Sequence, residues 1–140
     1  MQAAISQSPF HPIQSSDAAF TRKLIDDLRE PGSDPVLSPT RYLSLVKIDI
    51  GEFARNAGVH RNTVSRAPNS ASVQDFLRKN VRVISAAFDA SGKDMAKALL
   101  WFRNEPLAPF AYKTAEQLVA EGRVDDVIRL IESYEAGAAG

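Results

Sequence analysis

Apolar residues recur along this chain at helical spacing, and the two-residue alternation of a half-buried strand is nearly absent. Phe20, Leu24, Ile25 and Leu28 share one face at steps of four, one and three, which predicts a helix from Asp17 to Arg29. Pro31-Gly32 should end it, and residues 31–38, rich in Pro, Gly, Ser and Asp, read as a linker. Ser38 as N-cap with Pro39 at the first helical position opens a helix carrying Tyr42, Leu45 and Val46. Leu43–Ile50 is the one apolar stretch that also reads as a strand. Asp49 and Glu52 have the spacing of a reciprocal cap, which opens a short helix to Ala57, closed by Gly58. A second short helix covers Arg61–Ala67 and stops at Pro68-Asn69. Ser72 and Asp75 open the longest element, whose stripe is Val73, Phe76, Leu77, Val81, Ile84, Ala87 and Phe88. Ser91 or Gly92 restarts the chain into a helix through Met95, Leu99, Trp101 and Phe102. Residues 104–113 read as an ordered apolar loop. Thr114 and Gln117 form a capping box for a helix to Glu121, and a last helix, Val124–Tyr134, leaves a tail that should fray. Residues 1–15 read as a mobile arm. The fold class expected is all-α.

Composition narrows the chemistry. Among 140 residues there is no cysteine, which removes disulfides, thiolate metal sites and cysteine nucleophiles. His11 and His60 are the only histidines, too few for a histidine-rich metal site. No Gly-rich phosphate loop and no Ser/His/Asp arrangement stands out, so neither an enzyme nor a cofactor is expected. The adjacent pairs Asp26-Asp27 and Asp125-Asp126 point in different directions on a helix and read as solvated. No apolar run reaches the ~20 residues of a membrane span. Met1–Gln7 has neither a basic nor an apolar leader segment. A cytoplasmic protein is the expectation.

The net charge is zero, which by itself argues against nucleic acid. Its distribution argues otherwise. Residues 41–83 hold eight basic side chains against three acidic ones, while residues 1–40 hold three against five and residues 84–140 hold six against nine. Screening makes the local field decisive, because charges more than ~8–10 Å apart barely interact at physiological salt.

Residues 50–69, inside that basic segment, fit a helix-turn-helix unit. Ala54 is small where two helices cross, Gly58 supplies a positive φ at the turn, and Val59 is the apolar turn residue. Phe53, Ala57 and Val64 face inward. The second helix, His60–Ala67, then presents His60, Arg61, Asn62, Thr63, Ser65 and Arg66. Arg can grip guanine O6/N7 and Asn adenine N6/N7. Lys47, Arg55, Arg78 and Lys79 are candidates for phosphate contacts, which position a protein without reading sequence.

Further on, the chain carries Trp101, Asn104-Glu105-Pro106-Leu107, Thr114-Ala-Glu-Gln-Leu118, Gly122, Val127-Ile-Arg-Leu130 and Tyr134-Glu-Ala-Gly137. This order resembles the toxin-binding domain of the Xre/MbcA/ParS antitoxins: a Trp, an Asn-Pro with a Leu, a Thr-Pro-x-x-Leu segment, and a last helix ending near a Gly. Here a Glu stands between Asn104 and Pro106, and Ala115 replaces the Pro. The family also places an Xre-like helix-turn-helix just before this domain. The resemblance implies an antitoxin that neutralises a RES-domain, NAD-consuming toxin and represses its own operon, as a homodimer on operator DNA. It places Arg129, Glu132, Tyr134, Glu135 and Gly137 against the toxin. The implied division is an arm and helix over 1–37, a DNA-binding region over 38–90, and a small helical toxin-binding domain over 91–140. The alternative is a stand-alone helix-turn-helix regulator with a C-terminal dimerisation domain.

Overall fold

The computed structural model describes residues 17–30 and 33–139, so the arm over 1–15 lies outside the described residues. The described chain is all-α apart from one short ribbon. It forms two compact units, one over Arg22–Val81 and one that joins Arg82 onward with the described residues before Arg22.

The first unit takes α1 (Asp17–Leu28) from Arg22 on, and this part buries Leu24 and Leu28. The helix stops one residue early, because Arg29–Glu30 (β1) pairs antiparallel with Ser33–Leu37 (β2). Part of the expected linker is therefore pinned as a ribbon. Pro35 is compatible with β2 because both strands of a ribbon are edges. Two backbone anchors hold the ribbon down. The Ser38 N–H donates to the Leu28 carbonyl at 2.5 Å. The Gln74 amide accepts from the Leu37 N–H at 2.9 Å and donates to the Leu37 and Pro68 carbonyls at 2.8 and 2.7 Å. One glutamine side chain thus stands in for a neighbouring strand.

Ser38 caps α2 (Pro39–Val46) by accepting the Arg41 N–H, as its sequence predicts. The stretch that also read as a strand is therefore helical up to Val46. The helix ends on Lys47 in the left-handed conformation, φ 64°, where a glycine is the usual occupant. α3 (Ile50–Ala57) and α4 (Arg61–Arg66) follow. α5 (Ala71–Ala90) starts one residue before Ser72. The core joins Tyr42 of α2, Phe53 of α3 and Phe76 of α5 through ring contacts of 5.6 and 5.4 Å, the first tilted and the second edge-to-face. Leu37, Val73 and Leu77 are fully buried in the same unit.

In the second unit, Ile84, Ala87 and Phe88 continue the α5 stripe. Gly92 and Lys93 take positive φ, and Asp94, rather than Ser91 or Gly92, caps α6 (Met95–Asn104) by accepting the Lys97 N–H at 3.0 Å. Trp101 and Phe102 are buried in the core of this unit. The loop after α6 is ordered: a 3-10 turn over Ala108–Phe110, then a backbone bridge from Leu107 to Lys113. Thr114 and Gln117 form the reciprocal capping box of α7 (Ala115–Ala120). Gly122 takes φ 81° before α8 (Val124–Ala139). α8 continues five residues past Tyr134, so the expected frayed tail is helical through Ala139. Ala-rich composition explains this, since alanine loses the least on entering a helix.

No helix among the described residues is long and apolar enough to cross a membrane. Among them there is also no group of three metal-ligating side chains.

Candidate nucleic-acid interface

The basic segment positions its cations through caps and a tight turn. Asp49 accepts the Glu52 N–H at 2.8 Å and starts α3. Phe53 and Ala54 are buried on its inner face, while Ala57 is only half-buried. Gly58 closes the helix at φ 72°, with its N–H on the Ala54 and Arg55 carbonyls, and the Val59 N–H returns to the Ala54 carbonyl at 3.0 Å. A Cβ at Gly58 would meet nothing within 4 Å, so backbone conformation alone calls for glycine there. Val64, 3% exposed, anchors α4 against the core.

That anchor decides which side chains point out. His60, Arg61, Asn62, Ser65 and Arg66 are exposed and Thr63 is half-buried. His60 also has a local task. Its Nδ1 accepts the Asn62 N–H at 3.1 Å, which makes it the N-cap of α4 and puts the ring proton on Nε2. Nε2–H remains the outward donor. Ser65 Oγ donates back to the Arg61 carbonyl at 3.4 Å.

The basic residues of the segment separate into two sets. Arg41 donates to the Asp27 carbonyl, Lys79 pairs with Asp75 at 2.8 Å, and Arg82 pairs with Asp125 at 3.1 Å. Lys79 is therefore committed to its own helix. Arg55, Arg61 and Arg66 are exposed, and among the described residues no ion pair holds them. Lys47 and Arg78 are exposed but belong to neither set, since each has an interaction of its own. Arg55 and Arg61 both act on one acid, Asp49. Its carboxyl lies below its ordinary pKa, first because the Glu52 N–H bonds to it, and further because Arg55 and Arg61 attract its charge.

The residues that the family resemblance points to lie on α8. Arg129 is exposed but bonded to Asp126 at 2.6 Å, and the same carboxylate takes Arg123 at 2.9 Å. Asp126 is thus a bridging acid, not simply a solvated one, and the two guanidiniums hold its pKa down. Asp125 of the neighbouring position pairs with Arg82. Glu132 and Gly137 are exposed, and Glu135 is half-buried. Tyr134 is half-buried too, with its hydroxyl pKa raised by burial and then by the charge of Glu105.

Sequence spacing could not reveal three of these features: the Gln74 clamp, the imidazole cap of His60, and the left-handed Lys47. Each depends on long-range backbone geometry or on a residue type that seldom plays the part. Comparison with protein-family models, with curated proteins and with solved structures finds no match to the chain.

Proposed function

We propose that this chain is a helix-turn-helix DNA-binding protein of the Xre/MbcA/ParS antitoxin kind, reading operator DNA with α4 and binding a RES-domain toxin with its C-terminal unit. The observation that carries the DNA half is the combination at α4. A glycine turn and one buried valine fix the helix, while Arg61, Asn62, Ser65 and Arg66 face outward and Arg55 lies exposed on the preceding helix, three guanidiniums that no ion pair holds among the described residues. Such a helix enters the major groove with its N-terminal residues on base edges. The toxin half rests on the order of motifs from Trp101 to Gly137. Neither half assigns catalysis, a metal or a cofactor to the chain, and a homodimer on a two-fold operator follows from the same family reading.

A second reading, a regulator whose C-terminal unit only dimerises, draws support from α8. That helix is continuous to Ala139 and Tyr134 is partly buried, so the last residues belong to the unit instead of forming a loose arm.

Fluorescence anisotropy with a labelled duplex of the DNA upstream of the coding sequence tests the first half. Arg61→Ala with Arg66→Ala should weaken binding at fixed salt by at least about tenfold per arginine while leaving the circular dichroism unchanged. Unchanged affinity sinks the assignment of α4. For the second half, co-expression with a neighbouring RES-domain toxin should rescue growth, and removal of residues 132–140 should abolish that rescue.

A further inference from the structure

The start of α3 puts an acid, Asp49, inside the basic segment. Asp49 Oδ1 lies 3.1 Å and Arg55 Nη1 3.6 Å from the point a Cβ on Gly51 would occupy. The carboxylate and the guanidinium therefore converge over the one α3 residue that has no side chain. Arg61, at the first position of α4, also acts on this carboxylate, whose pKa is lowered first by the Glu52 N–H and to a smaller extent by Arg55 and Arg61. Arg55 and Arg61 thus share one acid without either closing an ion pair on it.

We propose that Asp49 is a built-in competitor of phosphate: it holds Arg55 and Arg61 in its field, so that DNA must displace or outweigh a carboxylate to engage them. This rests on the DNA reading of α4. The carboxylate is not needed for its structural duty, because asparagine and serine cap helices as well as aspartate does. Its charge is thus the separable part. A carboxylate at this place lowers affinity for every duplex alike, since phosphates carry no sequence. The acid therefore trims the electrostatic part of the affinity, which operator and mixed-sequence duplexes share.

The test uses the full chain and a labelled mixed-sequence duplex, read by anisotropy over a salt series. Asp49→Asn and Asp49→Ser should each bind the duplex roughly two- to fivefold tighter at low salt. The gain should shrink as salt rises, with the log–log salt slope steeper by up to about one. Asp49→Glu, which retains the charge, should show no such gain. Arg61→Ala serves as the reference and should weaken binding. If Arg61→Ala weakens binding but neither neutral cap tightens it, Asp49 does not compete with phosphate and the inference is overturned. If neither Arg61→Ala nor the Asp49 variants move the affinity, the DNA reading itself falls, and this inference with it. Unchanged thermal melting in Asp49→Asn separates the charge effect from loss of the cap.

Discussion

His60 Nδ1 accepts the backbone N–H of Asn62 at 3.1 Å, so a side chain that faces the candidate interface also holds the first turn of α4. His60→Ala should cost about 1 kcal/mol, the usual penalty for losing an N-cap, and His60→Asn should restore most of it. Urea unfolding of both variants checks this. A helix of six residues has little else to hold its first turn, so the cap matters more here than at a long helix. If His60→Asn recovers stability without recovering DNA affinity, Nε2–H makes a contact of its own.

The Gln74 amide makes three backbone hydrogen bonds, two to Leu37 and one to Pro68. Gln74→Ala leaves those groups without their partner and should destabilise the 22–81 unit by about 2–4 kcal/mol. Gln74→Glu keeps the acceptor for the Leu37 N–H but sets a carboxylate against two carbonyls, so it should be no better tolerated. Hydrogen exchange at Leu37 reads the effect locally: protection should fall in both variants.

Much of the fold was legible in the chain because its apolar stripes are long. The α5 stripe from Val73 to Phe88 and the caps at Ser38 and Thr114 follow local rules that need no tertiary context. The ribbon was not legible. Its pairing is held by Gln74, thirty-seven positions beyond Leu37, and no local pattern announces such a clamp. Nor was the end of α2, where Lys47 stands in a left-handed conformation that Gly58 occupies at the end of α3. At the candidate site, the outward face of α4 was legible from Val64 alone. The Lys79–Asp75 pair follows from i,i+4 spacing on α5, but the pairing of Arg82 was not legible, since Asp125 lies forty-three positions on and only the folded chain brings it near.

The bridging acid of α8 yields a pH prediction. Asp126 accepts from Arg123 and Arg129, and its folded pKa lies below the ordinary 3.8. A depressed carboxyl contributes stability that is fully present above its unfolded value and is lost as pH falls through the folded one. Asp126→Asn should therefore narrow the gap between neutral and acid stability below pH 3.8. Thermal melts from neutral pH downward measure that gap. A gap equal to that of the unaltered chain rules out a stabilising role for the bridge.

The single tryptophan, Trp101, is 4% exposed in the unit that starts at Arg82, and the unit over Arg22–Val81 holds none. The molecule therefore carries its own optical label for one half only. Tryptophan emission follows the unfolding of that half, while the anisotropy of a bound duplex would follow the other. Superimposed transitions would mean that the chain melts as one cooperative body. Separated ones would mean that either half can be lost while its neighbour stays folded.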